Sequence, residues 1–245
     1  MNDTMQCMRR HSSVRSFLDR PVAGEVLEQL IECGQAASSS SFVQAYSVLR
    51  VTRAANRQRI AAAAGHQAWV VEAPEFLVLC ADLYRIEHCC LKEGQGELDG
   101  FTEHFITATV DVALMAQNML LAAESMGLGG VFIGGIRNDP ETVSDCLQLP
   151  RQVYPVFGLC LGWPADVNPP KPRMPVGHVL HQDAYDVNAV ARNIEQYDGV
   201  MADYYSGRDN NSRVSNWSRQ TARAVQGKKR EHMLDFLRAR GLLLR

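Results

Sequence analysis

Ala123-Glu124-Ser125-Met126-Gly127-Leu128-Gly129-Gly130-Val131-Phe132-Ile133-Gly134-Gly135-Ile136-Arg137-Asn138 is the stretch on which the reading of this chain turns. Its five glycines invite a nucleotide-loop reading, and the context refuses it. The run lacks the strand–turn–helix setting of a dinucleotide fingerprint, and no acidic ribose partner stands where that fingerprint needs one. No lysine follows a Gly-x-x-x-x-Gly spacing, so a Walker A loop is absent too. The glycines read instead as places where backbone comes close to a flat ligand or a partner.

Upstream of this stretch, residues from about Phe101 to Met126 read as one long helix that Gly127 closes. Thr107, Thr109, Asp111, Gln117 and Asn118 interrupt its apolar run, which argues for a buried helix and against a membrane span. The helix is apolar almost all round, more than one chain of this size can bury, so it is a candidate subunit interface. Downstream, Asp139-Pro140-Glu141 starts a helix, with Asp as cap and Pro at its first position.

Further out, strands and helices alternate. A short helix is expected over residues 3–10, another through Val26, Leu27, Leu30 and Ile31 stopping at Gly34, and an alanine-rich one over 54–64. Tyr46, Val48 and Val51 fall in a strand; 75–81 and 156–162 are continuous apolar runs, the mark of strands covered on both faces. Residues 86–100 read as an irregular polar excursion, 164–175 as a Pro-rich loop, and 188–206 and 217–240 as two helical stretches.

The composition of the 245 residues, 46% hydrophobic and 21% charged, is that of a soluble protein with one good core. Net charge is −2, yet from Arg208 onward ten Lys/Arg face three Asp/Glu. Such a basic segment is either a solvated helix face or a binder of an anionic ligand or nucleic acid. The seven cysteines form no Cys-x-x-Cys pair, which reads as reduced thiols in the cytoplasm. The polar N-terminus predicts no secretory signal.

Metal and hydrolase chemistry fall away. His178-x-x-His181 and Glu87-His88-Cys89-Cys90 each lack a matching second pair, so no metal is expected. No serine sits in a Gly-x-Ser-x-Gly elbow. What remains is His11, Ser13 and Arg15 at alternate positions, and Lys171 and Arg173 two apart. On extended backbone, alternate side chains share a face, and cations with hydroxyls are what a bound phosphate needs. Surface charge on two loops is the plain alternative.

His11–Arg15, Ser38–Phe42, Gly65-His66-Gln67-Ala68-Trp69, Gly127–Asn138 and Phe157–Arg173 follow one another in a familiar order. It resembles that of the oxygen-insensitive NADPH nitroreductases, also called NADPH–flavin oxidoreductases, a group of the nitroreductase superfamily. The 123–138 stretch and Phe-Gly-Leu-Cys-Leu-Gly-Trp-Pro…Lys-Pro-Arg-Met-Pro carry the resemblance most specifically. It runs over nearly the whole chain and is weakest at 1–9 and 86–104.

The resemblance implies an α+β nitroreductase-like fold, with a mainly antiparallel central sheet wrapped by helices. It implies one FMN-binding domain over 1–245 with a helical excursion at about 188–240. It also implies a homodimer joined through long helices, with one FMN per subunit. His11, Ser13, Lys171 and Arg173 would hold the FMN phosphate. Arg15 would lie by the ribityl chain and the N1/O2 edge, where a cation stabilises negative charge on the ring. Gln67, with Ala68 and Trp69, would meet the pyrimidine edge, and Ser39, Ser40 and Ser41 would come from the partner subunit. Phe132, Ile133, Gly134 and Gly135 would line the flavin near N5. Phe132 stands where relatives can carry Tyr, so a hydroxyl contact is lost there while backbone contacts remain. Phe42 and Arg230 would border the open face, and Arg208 and Arg213 would meet the 2′-phosphate of NADPH.

The implied reaction is ping-pong hydride transfer from NADPH through flavin N5 to nitroaromatics, quinones or free flavin, with chromate as another acceptor. No side chain is needed as an acid or base, so none is assigned a catalytic role. Neither nucleic acid nor membrane is expected as a partner. Two rivals stay in view: FMN fragmentation or dehalogenation on the same fold, and a nucleic-acid-binding module built on the basic C-terminal region.

Overall fold

The computed structural model describes residues 1–207, 214–227 and 229–245. They form two compact units: Met1–Asn168 with Arg230–Arg245, and Pro169–Lys229.

In the first unit, β1 (Tyr46–Arg50), β2 (Glu75–Asp82), β3 (Gly129–Ile133) and β4 (Val153–Gly162) form one antiparallel sheet in the order β1-β2-β4-β3. β2 is buried at every position: its apolar run from Phe76 to Ala81 predicts this, and the terminal Glu75 and Asp82 are buried as well. Alternation along it divides the core. Leu77, Leu79 and Ala81 face one layer, Phe76, Val78 and Cys80 the other. The first layer holds α2 (Gly24–Gln35) and α6 (Thr102–Ser125), which present Leu27, Leu30, Val112, Met115, Met119 and Leu120. The second layer holds α3 (Ala54–Ala63) and α7 (Pro140–Leu147), through Ile60, Ala61 and Val143.

β4 carries a bulge the sequence did not announce. Leu79 pairs with Phe157 and Cys80 with Pro155, so Val156 has no partner of its own. Tyr154 before the bulge, the bulged Val156 itself, and Leu159 and Leu161 after it all belong to the core cluster on the α6 side. The extra residue resets the alternation, and it falls beside Pro155, which has no N–H to give a ladder.

α6 ends as expected. Gly127 takes φ +84°, and Leu128 N–H reaches back to Ala123 O at 3.0 Å. Its inner face is buried against the sheet and α2, while Ile106, Val110 and Leu114 are 49%, 50% and 44% exposed. These three recur every fourth residue and so form a single apolar stripe. α7 begins at Pro140 under the Asp139 cap, whose carboxylate accepts from Thr142 N–H at 3.0 Å.

Two expectations are corrected. The segment 86–100 is not wholly irregular, because α5 (Tyr84–Lys92) occupies its first part. That helix is capped from outside its own apolar pattern, Asp82 accepting from Arg85 N–H at 3.1 Å. Glu87 then accepts from Leu98 N–H at 3.2 Å, tying back the chain that follows. The stretch 217–240 is not one helix but α9 (Trp217–Gly227) and α10 (Met233–Ala239). Arg230 between them sits at φ +47°, which no helix admits. The remaining helices are α1 (Asp3–Arg9), the single turn α4 (Trp69–Glu72) and α8 (Val190–Ser206).

Candidate functional site

β3 runs out at Ile133 into a 3₁₀ turn, Gly134–Asn138, which gathers the first group of candidate residues. Ile133 is fully buried in the core, so the chain there can offer a ligand only its backbone. A Cβ at Gly135 would stand 2.4 Å from Gln67 Nε2 and 2.5 Å from Ala64 O, so this approach of turn to loop requires glycine.

Gln67 is oriented on both sides. Its Nε2 donates to Ala64 O at 2.8 Å, and its Oε1 accepts from Trp69 Nε1 at 3.1 Å. These bonds leave one amide hydrogen unclaimed. Ala68 sits at the start of α4, exposed, between these two side chains in sequence. The Arg15 guanidinium lies 5.7 Å from the centre of the Trp69 ring. Arg15, Gln67, Trp69 and the Gly134–Gly135 backbone are therefore linked through neighbouring contacts.

Arg230 joins the same turn from far along the chain. Its Nε donates to Asn138 Oδ1 at 3.0 Å and its terminal nitrogen to Gly134 O at 3.0 Å. Its left-handed backbone is thus fixed by tertiary contacts. Arg137, which sequence reasoning had no role for, donates to the carbonyl of the bulged Val156. Burial, and then the Arg230 cation, lower its pKa from the ordinary guanidinium value. Phe132 packs edge-to-face on Phe157 at 5.0 Å between ring centres.

The segment carrying His11, Ser13 and Arg15 runs beside β3, with Val14 N–H donating to Gly130 O at 3.0 Å. Val14 is buried and Arg15 exposed, while His11, Ser12 and Ser13 are all half-buried, so burial alternates only at residues 14 and 15. His11 Nδ1 meets Glu124 Oε1 at 2.6 Å, the glutamate of the 123–138 stretch.

Ser39, Ser40, Ser41 and Phe42 lie on the connection from α2 to β1. Ser41, Phe42 and Gln44 have φ of +48°, +58° and +55°, and Phe42 is 79% exposed. None of the three is a glycine, so the loop is strained. Asp111, 1% exposed in the middle of α6, accepts from Ser40 N–H at 3.0 Å and from Ala45 N–H at 3.3 Å. In the sequence Asp111 read only as an interruption of an apolar helix. A buried carboxylate needs donors, and that was the signal available. Burial, and then the Asp111 charge, raise the pKa of the neighbouring Tyr46 hydroxyl, which stays a neutral phenol.

In the second unit, Tyr197 donates to Pro172 O at 2.8 Å, and Met174 packs on Tyr197, Met201 and Tyr205. Pro172 and Met174 are thus taken up by α8, while the alternate residues Lys171 and Arg173 remain exposed. The other predicted cations, Arg208 and Arg213, lie outside the described residues.

Comparison with known proteins meets this geometry. The chain is 40% identical to the FMN reductase (NADPH) of Bacillus subtilis, over 98% of each. It is 42% identical to the NADPH-flavin oxidoreductase of Vibrio harveyi over the full length of both. The crystal structure of nitroreductase A from Vibrio parahaemolyticus superposes with a TM-score of 0.90, at 41% identity and full coverage of both chains. The family model described as "Nitroreductase family" matches residues 8–163, and "Nitroreductase family, C-terminal domain" matches 171–245. The chain belongs to the nitroreductase family.

Proposed function

We propose that this chain is an FMN-dependent NADPH oxidoreductase that passes two electrons to nitroaromatics, quinones or free flavin, and to chromate. The observation that carries the reading is the glycine turn at 134–135, brought against Gln67 with Arg15, Trp69 and Arg230 around it. These residues fit a flavin. A side chain at Gly135 would fill the approach, Arg15 supplies a cation, and Gln67 keeps a free amide hydrogen. FMN bound there supplies hydride acceptance and donation at N5.

The protein's own part is positional. The backbone at Ile133, Gly134 and Gly135 lets a flat ring lie close. Gln67, held by Ala64 and Trp69, presents a fixed donor to the pyrimidine edge, with Ala68 alongside and Phe132 contributing backbone. Arg15 offsets charge at the N1/O2 edge. His11 and Ser13 are assigned to the phosphate, and Lys171 and Arg173 carry a second part of that assignment, which rests on the resemblance. Arg208 and Arg213 are assigned to NADPH, and Phe42 and Arg230 to the substrate face. The 1–245 chain works as one FMN-binding domain in a homodimer, with Ser39, Ser40 and Ser41 reaching the partner's FMN. The exposed stripe of Ile106, Val110 and Leu114 supports the dimer, and seven free cysteines support a reducing cytoplasm.

Purified protein should be yellow and release FMN, one per chain, on denaturation. With NADPH it should turn over nitrofurans, quinones, chromate and free FMN. Release of FAD, or a colourless protein that takes up no FMN, would overturn the proposal.

A further inference from the structure

Asp111 does something a core helix does not need. Its two carboxylate oxygens receive the backbone N–H groups of Ser40 and Ala45, at 3.0 and 3.3 Å, so one side chain clips both ends of a short loop. Within that span Ser41, Phe42 and Gln44 all take left-handed φ. Side chains with a Cβ leave that region unless something holds them. The loop's own bonds are Phe42 N–H to Ser39 O at 3.3 Å and Val43 N–H to Ser40 O at 2.9 Å, which form one 3₁₀ turn, and an exposed bond from Gln44 Nε2 to Phe42 O at 3.4 Å; none of them ties Ser40 to Ala45.

We infer that Asp111 is a positioning residue: its carboxylate clamps the Ser39–Phe42 loop in a strained form and thereby sets FMN affinity and the placement of Phe42. This rests on the functional reading above, which assigns those serines to FMN and Phe42 to the substrate face. A carboxylate is the group that fits. It offers acceptors to two converging donors, whereas an amide turns its own N–H₂ toward one of them. The need is mutual, since a carboxylate this deep is tolerated only with donors on it. The clamp stands on α6 next to Val110 of the exposed stripe, so the helix proposed to join subunits also holds the loop proposed to cross between them.

The test uses the full chain, freed of flavin, with Asp111→Asn, Gln44→Gly and the double variant. Two quantities are read: hydrogen exchange at the Ser40 and Ala45 amides, and FMN dissociation by flavin fluorescence. Asp111→Asn should speed exchange at both amides and weaken FMN about tenfold or more. Gln44→Gly removes only the long, exposed bond from Gln44 Nε2 to Phe42 O, and so should by itself leave FMN binding near wild type. Glycine at 44 accepts the left-handed conformation freely, so the double variant should regain roughly fivefold of the lost affinity. A plain core role for Asp111 gives no such rescue. If Asp111→Asn does not fold, Asp111→Glu keeps two acceptors on a longer arm. It should alter exchange at Ser40 and Ala45 while the α6 amides around residue 111 stay protected. Unchanged exchange at the two amides, or failure of Gln44→Gly to recover FMN affinity, overturns the inference alone. A wild-type chain that binds no FMN while these amides still respond overturns the functional reading instead.

Discussion

A methyl group at Gly135 would stand 2.4 Å from Gln67 Nε2 and 2.5 Å from the Ala64 carbonyl, and the second of these is backbone that cannot swing away. Gly135→Ala should therefore push the turn off Gln67. Overpacking of this kind costs about 1–3 kcal/mol, and felt at the site it weakens FMN roughly 10- to 100-fold. A fluorescence titration that finds FMN affinity unchanged would remove this turn from the site. The strained loop can be weighed at the same scale. Three left-handed residues cost about 1 kcal/mol each or more, while two hydrogen bonds to a charged group return about 1.5–3 kcal/mol each, so Asp111 is of the size needed to hold them. Single residues were unevenly legible. The spacing of Lys171 and Arg173 suggests that they share a face because alternation is local, and both are exposed where Pro172 and Met174 are half-buried. The left-handed Arg230 was not foretold, since its backbone is set by Asn138 and Gly134, about ninety residues earlier.

Among the elements, β2 and β4 were readable because each buries a nearly continuous apolar run, and α6 because a long apolar stretch is broken by only a few polar residues; burial leaves its mark in composition. α5 was missed because it is a polar helix started by Asp82, a residue of the preceding strand. The bulge at Val156 left no mark that alternation alone could show. α6 also shows where a nearly all-apolar pattern misleads: Leu120, which reads as well as any residue for an interface, is 1% exposed and faces the core. The outward residues are Ile106, Val110 and Leu114. Val110→Asp and Leu114→Asp should thus separate the subunits while leaving each fold intact. Because the serine loop is assigned to the partner's site, FMN should be lost with the dimer. Sedimentation together with absorbance checks this. A monomeric variant that keeps stoichiometric FMN would show that each site is complete in one chain.

At the scale of the whole molecule, the choice between nicotinamide cofactors is expected to rest on Arg208 and Arg213. NADH lacks the 2′-phosphate, so it forfeits two charge-assisted contacts worth roughly 1–2 kcal/mol each. kcat/KM for NADPH should exceed that for NADH by at least about tenfold and fall as salt rises. The double change Arg208→Ala, Arg213→Ala should cost NADPH activity and spare both NADH activity and FMN content. Equal losses with the two cofactors would leave these arginines without that role. The division into units also bears on how the protein is made. Phe236, Leu237 and Leu242 belong to the same core cluster as β2 and α6, Gln152 N–H reaches Arg240 O at 2.8 Å, and Thr102 N–H reaches Arg245 O at 3.0 Å. The first unit thus needs residues 230–245 before its core is full, although Pro169–Lys229 has left the ribosome by then. Domains commonly fold in the order of their synthesis. Here the first unit is split in sequence: β2 and β4, more than seventy residues apart, lie in a core that residues 230–245 complete only after Pro169–Lys229 has been made. Until residues 230–245 are made, part of the apolar core around β2 and β4 lacks its cover, and uncovered apolar strands are what makes a partly folded chain prone to aggregate.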